Sequence, residues 1–139
     1  MKKLTTTLAI IAILLLSFTG CDKYHRDRYT GTWDFVTEKI LYQYDSDKYV
    51  PIEFDTIYYT GKIMSGSKDG QIIIKYTEND EIGAAIDDDK KTLWTSAYPC
   101  AKCPSGSFEK KDKVHLHLVF FNYESLTDVQ SNGVKKSKK

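Results

Sequence analysis

Apolar and polar residues alternate with a period of two along most of the chain after residue 28, and this spacing is typical of β-strands with one buried face. In the segment from 29 to 38, one face carries Gly31, Trp33, Phe35 and Thr37. The opposite face is mostly polar. The pattern therefore predicts a first strand that packs the Trp33 face onto a core.

The same alternation recurs in four further segments, each bounded by turn-forming residues. Their inward positions are Ile57, Tyr59, Gly61 and Ile63; Ile72, Ile74 and Tyr76; Ile82, Ala84 and Ile86; and Val114, Leu116, Leu118 and Phe120. Lys68-Asp69-Gly70 predicts a tight hairpin, because both central positions of such a turn need positive φ. Residues 87–91 predict a charged hairpin tip.

These short strands, with a turn every 8 to 12 residues or so, are typical of all-β folds. We expect a small antiparallel β-barrel of about eight strands, with a β-sandwich as the alternative. Closing the sheet would also remove exposed strand edges from a chain rich in Tyr and Ile.

The first twenty residues follow a different pattern. Lys2 and Lys3 precede an unbroken apolar run from Leu8 to Leu16, and small residues follow before Cys21. A basic start, an apolar run and a small-residue cleavage site, in that order, indicate a secretion signal. The run is too short for a transmembrane helix, which needs about 20 apolar residues. Residues 1–20 are therefore predicted to be a signal peptide.

Phe18-Thr19-Gly20-Cys21 resembles the lipobox of bacterial lipoproteins. In that family the Cys thiol receives a diacylglycerol, a peptidase cleaves before the Cys, and the new amine is usually acylated. The resemblance implies that Cys21 is lipidated and that its acyl chains, palmitate among them, hold the protein on a membrane. It also implies a place in the bacterial cell envelope, facing the periplasm from the inner or the outer membrane.

Three further segments follow from these patterns. Residues 21–28 contain the lipidated Cys and a charged spacer, residues 29–130 form a single all-β domain, and residues 131–139 form a Lys-rich tail. The tail is either a solvated end or a contact with anionic lipid.

Composition excludes two classes of protein. The chain has 20 Lys and Arg against 19 Asp and Glu, a formal charge of +1, so it lacks the basic surface that binds nucleic acid. Its 41% hydrophobic content is too high for a disordered chain.

Gly31-Thr32-Trp33 looks like the Gly-x-Trp signature of lipocalins and of the related fatty-acid-binding and avidin-type barrels. In those families the Trp closes one end of the barrel. The resemblance implies that Gly31, Trp33 and Phe35 form a plug beside a ligand cavity. With its lipobox, the chain is similar to small uncharacterised Gram-negative lipoproteins of lipocalin-like type, a family without an established activity.

Cys100 and Cys103 form the one pair of residues with redox or metal potential. Outside the cytoplasm, two thiols this close are expected to form a local disulfide. Zinc is the alternative, with Cys100, Cys103, His115 and His117 as ligands, because His115 and His117 project from the same side of a strand. No cofactor is expected.

The sequence contains no nucleophile elbow, phosphate-binding Gly loop or metalloprotease helix, so we expect a non-catalytic protein. The first hypothesis is that the barrel binds a small apolar ligand, which requires an interior cavity. The alternative is an interaction or accessory subunit of a cell-envelope complex, which predicts an exposed apolar or Tyr-rich patch instead.

Overall fold

The structure is a computed structural model that describes residues 24–87, 89, 91–95 and 105–137. In this part of the chain, eight β-strands follow one short α-helix. The elements are α1 Tyr24–Asp27, β1 Gly31–Asp45, β2 Lys48–Ser65, β3 Gln71–Lys75, β4 Glu81–Ile86, β5 Thr92–Trp94, β6 Gly106–Lys110, β7 Lys113–Asn122 and β8 Ser125–Lys135.

The eight strands form a closed antiparallel barrel in sequence order. Each strand pairs with the next, and β8 returns to pair with β1 from Trp33 opposite Lys135 to Gln43 opposite Ser125. The all-β class and the antiparallel barrel of about eight strands are therefore confirmed, and the sandwich alternative is excluded.

The predicted inward face of β1 forms part of the core. Trp33, Phe35 and Thr37 are buried, as are the alternating residues predicted on β3. Phe120 differs from the prediction, because it is 41% exposed although Leu118 on the same face is fully buried. The buried hydrophobic residues are Tyr29, Trp33, Phe35, Ile63, Ile72, Ile74, Tyr76, Ala84, Leu93, Phe108, Val114, Leu116, Leu118 and Val129.

Phe120 is exposed because four strands continue beyond the barrel. β3 pairs only with Lys62–Ser65 of β2, and the pairing of β6 with β7 ends at Leu116. The remaining parts of β2, β1, β8 and β7 pair side by side in that order. We call residues 40–45, 48–54, 119–122 and 125–128 the extended sheet, which projects about 20 Å at roughly 3.3 Å per residue.

The turns agree with the predicted hairpins in position but not always in geometry. Ser46 and Asp47, which join β1 to β2, both have positive φ (48° and 69°), as a two-residue hairpin turn of the primed type requires. The loop from Gly66 to Gly70 has positive φ only at Gly70 (75°). The hairpin predicted at Asp69-Gly70 is present, but its loop is longer than a two-residue turn. β4 and β5 flank the tip predicted at residues 87–91, of which residues 87, 89 and 91 are described.

The described elements extend beyond both predicted ends of the domain. α1 lies in the predicted spacer, and Tyr29, two residues after it, is 3% exposed. β8 continues to Lys135, so residues 131–135, which the sequence assigned to the tail, belong to the barrel. Their hydrophobic signal is weak because Ser131 and Gly133 face the core. No helix among the described residues is long and apolar enough to cross a membrane.

Candidate functional site

Three of the predicted site residues, Cys21, Cys100 and Cys103, lie outside the described residues. Lipidation and the disulfide stay predictions for that reason. His115 and His117 lie on the outward face of β7, where each contacts β8: His115 Nδ1 is 2.7 Å from Asn132 Oδ1, and His117 Nε2 is 2.8 Å from Asp128 Oδ1. Among the described residues, no group of three or more His, Cys, Asp or Glu is arranged to hold a metal ion.

Trp33 lies at the end of the barrel where α1 enters. Its side chain is fully buried, and its indole Nε1 donates a hydrogen bond to the Tyr29 carbonyl over 2.9 Å. The Tyr29 ring stacks on Phe108 with 3.6 Å between the ring centroids. Three aromatic side chains therefore fill this end, while Gly31 next to them has φ of +133° and leaves room for Lys135.

Lys135 and Lys136 contact the Trp33 end of the barrel, although the sequence predicted that they belong to a solvated or lipid-binding tail. Lys135 Nζ lies 6.0 Å from the centroid of the Trp33 ring and donates a hydrogen bond to the Arg28 carbonyl over 2.7 Å. Lys136 Nζ is 3.1 Å from Asp34 Oδ1. A hydrogen bond from the Thr60 hydroxyl, together with Lys136, keeps the pKa of Asp34 below its ordinary value.

The turn between β3 and β4 covers the other end of the barrel. Tyr76 is buried there, and its carbonyl accepts a hydrogen bond from the Thr37 hydroxyl over 3.3 Å. The Thr37 and Ser131 hydroxyl oxygens are 2.7 Å apart, so the Ser131 hydroxyl can donate to Thr37. Burial, and then the charge of Asp80, raises the pKa of Tyr76 to about 12. A neutral, buried phenol therefore belongs to this cover at ordinary pH.

An ion pair fastens the same turn to β1. The Lys39 ammonium contacts the Asp80 carboxylate, which also accepts a hydrogen bond from the Thr77 hydroxyl over 2.6 Å. Burial acts to raise the pKa of Asp80, but the bonds from Lys39 and Thr77 and the Lys39 charge together lower it. Ser105, directly before β6, is also buried. Its carbonyl accepts a hydrogen bond from the backbone amide of His117 on β7 over 2.9 Å.

Between these two covers, the described core side chains fill the barrel. A cavity large enough for water would leave accessible area on the side chains that line it. Trp33, Ile72, Ile74, Leu93, Leu116 and Leu118 are each 0% exposed. The interior therefore resembles a packed core more than a ligand cavity.

The extended sheet presents a different surface on its outer side. Its strand register places Phe54, Ile40, Asp128 and Val119 in one cross-strand row, and Pro51, Tyr42, Leu126 and Phe121 in the next. We call the residues Ile40, Tyr42, Phe54, Val119, Phe121 and Leu126 the apolar face. Phe54 is 71% and Phe121 56% exposed, so this face meets solvent.

Tyrosines surround the tip of the extended sheet. The rings of Tyr44 and Tyr49 meet edge to face with 5.2 Å between their centroids, beside the turn at Ser46 and Asp47. Tyr123 in the neighbouring turn is fully exposed. This placement is compatible with the predicted Tyr-rich contact patch, because Tyr offers both an apolar ring and a hydrogen-bonding hydroxyl.

The apolar face escaped the sequence-based prediction because it has no clean alternation. Ile40, Leu41 and Tyr42 are consecutive apolar residues, so both faces of β1 are apolar over these three positions. A β-bulge between Leu41 and Tyr42 then shifts the pairing with β2 by one residue. The consecutive apolar residues were the signal that could have indicated it.

No family model, curated protein sequence or solved structure shows significant similarity to this chain. Its function is therefore inferred from the chemistry of its own surfaces.

Proposed function

We propose that this protein is a lipid-anchored, non-catalytic binding module of the bacterial cell envelope and that its apolar face binds a protein partner. The observation that carries the proposal is the exposed apolar face of the extended sheet, with Phe54 71% and Phe121 56% exposed. Solvent-exposed aromatic and aliphatic side chains in neighbouring rows are typical of protein-binding surfaces.

The direction of the chain supports a protein over a membrane as the partner. With lipid on Cys21, only two residues separate the anchor from α1, which precedes the Trp33 end of the barrel. The apolar face lies on the extended sheet at the opposite end, about 20 Å long at roughly 3.3 Å per residue. The anchor would hold this surface away from the bilayer, where another envelope protein can reach it.

The polar contacts of the described residues also support a non-catalytic role. Lys39 and Asp80 fasten a turn to β1, and His117 and Asp128 connect β7 to β8. Each pair satisfies its own charges or hydrogen bonds across neighbouring elements. Such contacts stabilise a fold, and this is the role that we propose for them.

A carrier of a small apolar ligand is the second candidate. The closed eight-strand barrel supports it, because barrels of this size in other proteins hold one small ligand. The packed core argues against it, since side chains such as Leu116 and Leu118 would have to move to admit a ligand. Native mass spectrometry distinguishes the two: a tightly bound small lipid would favour the carrier.

The experiment for the partner uses the full chain, produced in a bacterial host with its own amino terminus. A photo-crosslinking amino acid at Phe121 should give a discrete product with one envelope protein, because Phe121 lies on the apolar face. Phe121→Lys should weaken co-purification of that protein by at least about tenfold if the contact is a central apolar one.

The matched control is Val134→Lys, since Val134 is also an exposed apolar residue (53%) but lies on β8 near the Trp33 end. It should leave the partner bound. Equal loss in both variants, or no product from Phe121, would contradict the apolar face as the binding site. The anchor is checked in the same cells: labelled palmitate should enter the chain and not the Cys21→Ser variant.

A further inference from the structure

One edge of β2 has no strand partner among the described residues. From Lys48 to Gly61, β2 pairs with β1 on one side only, and β3 joins its other side at Lys62. An unpaired edge presents free N–H and C=O groups that can pair with another chain.

The available part of this edge has clear limits. At the upper end, Pro51 and the bulge at Ile52 interrupt regular pairing. At the lower end, the Lys75 carbonyl lies against Gly61 and closes the edge. The free segment between Pro51 and Gly61 therefore runs from Ile52 to Thr60, with the bulged Ile52 at its upper end, and Thr56 is its midpoint.

Within these limits, the two charged residues Glu53 and Asp55 give the edge only part of the usual protection against pairing. Natural edge strands often carry Lys or Pro, and the segment from Ile52 to Thr60 contains neither. It is rich in Thr, Ile, Tyr and Phe, which favour β-structure. Its outward aromatic residues are the most exposed of β2, with Phe54 71% and Tyr58 78% exposed.

We propose that two copies of this protein pair through this edge, antiparallel, about a twofold axis at Thr56. In this register Phe54 of each copy stands opposite Tyr58 of the other, and Thr56 stands opposite Thr56. Directly opposite aromatic residues and Thr pairs stabilise antiparallel strands. The most exposed aromatic residues of β2 thereby cover each other.

The charges of the edge also favour this register. Glu53 stands opposite Tyr59, and Asp55 opposite Ile57, so no carboxylate directly faces another. Centring the axis on Asp55 would place the two Asp55 carboxylates opposite each other, which is destabilising. Centring it on Ile57 would separate the aromatic residues by placing Phe54 opposite Thr60.

The dimer would join the two extended sheets into one continuous sheet. A twofold axis perpendicular to the sheet keeps both apolar faces on the same side. The dimer and the proposed partner share one residue, Phe54. Phe121 and Leu126 of the apolar face lie on the strands farther from this edge, so variants there test partner binding without touching the dimer contact.

The test measures the mass of the full chain in mild detergent by native mass spectrometry and its dissociation on serial dilution. The wild-type chain should be a dimer. Tyr58→Lys should raise the dissociation constant by at least about tenfold, because it replaces an aromatic contact at two symmetric places. Phe54→Glu combined with Tyr58→Lys should restore the dimer, since the new carboxylate of each copy then faces the new ammonium group of the other, and added salt should weaken it.

Phe121→Lys is the control variant, because it removes an exposed aromatic residue of the extended sheet away from the β2 edge. It should leave the dimer intact even if it abolishes partner binding, so failure of the two proposals can be distinguished. A wild-type monomer, a dimer insensitive to Tyr58→Lys, failure of the charge pair to restore the dimer, or an edge occupied by a different protein would each overturn the inference. Circular dichroism of each variant confirms that it is folded.

Discussion

At the scale of single residues, Trp33 shows how a buried polar atom determines the structure around it. A buried indole N–H needs an acceptor, and the Tyr29 carbonyl provides one at 2.9 Å. That bond places Tyr29, two residues after α1, over the end of the barrel, where its ring stacks on Phe108. One hydrogen bond thus connects the start of the domain to its core.

Trp33 variants test this arrangement. Trp33→Ala should lower the free energy of unfolding by about 3–5 kcal/mol, because it leaves a large cavity. Trp33→Phe should cost about 1–3 kcal/mol, mainly because the Tyr29 carbonyl loses its donor. Denaturant unfolding of the full chain measures both, with Val134→Ala as the exposed control. A cost for Trp33→Ala no larger than the control's would contradict the packed end.

Asp80 makes stability depend on pH. Its pKa is lowered in the folded protein, so the contribution of its contacts to stability is present above the unfolded pKa, about 3.9, and is lost as the pH falls through the folded pKa. The wild-type chain should therefore lose stability in acid. Asp80→Asn should be less stable than wild type at neutral pH, and its stability should fall less between neutral and acid pH. Thermal unfolding at both pH values checks this. Asp47→Asn in the exposed β1–β2 turn is the control, and an identical acid loss for Asp80→Asn and wild type would refute the role of Asp80.

At the scale of elements, β8 closes the barrel with small residues. Gly133 lies where an added Cβ would be 2.6 Å from the Phe35 ring and 2.7 Å from Val114 Cγ1. Ser131 beside it uses its hydroxyl to contact Thr37. Close approach of β8 to the large side chains of β1 and β7 therefore requires residues that carry little hydrophobic signal.

A pair of glycine variants tests this packing. Gly133→Ala should lower the free energy of unfolding by about 1–3 kcal/mol, because the methyl group overpacks the core against Phe35 and Val114. Gly83→Ala on β4 is the matched control, since nothing lies within 4 Å of its added Cβ. It should be neutral or stabilise by up to about 1 kcal/mol by restricting the unfolded chain. Equal effects of the two variants would show that β8 does not pack as described.

The sequence predicted best those strands in which every second residue is buried, because the hydrophobic residues then repeat with the period of a strand. On β1 the face of Trp33 and Phe35 is buried and the opposite face is wet, so alternation is visible. In the extended sheet both faces of β1 carry apolar residues and a bulge shifts β2, so the alternation that identifies a strand face is lost. Register decides which residues form the apolar face, and register is a property of two strands together.

At the scale of the whole molecule, the same limit applies to the candidate site. The fold class and the approximate number of strands follow from hydrophobic patterns along the chain. The filled interior depends instead on how side chains from strands distant in sequence pack together. Lys39 and Asp80, or Thr37 and Ser131, are far apart in sequence and become neighbours only when the barrel closes. No spacing along the chain indicates such pairs. Contacts of this kind therefore had to be seen in the structure.

The pairing of β1 with β8 has a consequence for how the protein is made. Trp33 meets Lys135 in neighbouring strands, so the seam of the barrel is formed by nearly the first and nearly the last residues of the domain. A ribosome would have to synthesise β8 before this seam can form, and such distant pairing makes folding slow. Until then the barrel is open, and the inward side chains of β1 lack their neighbours on β8.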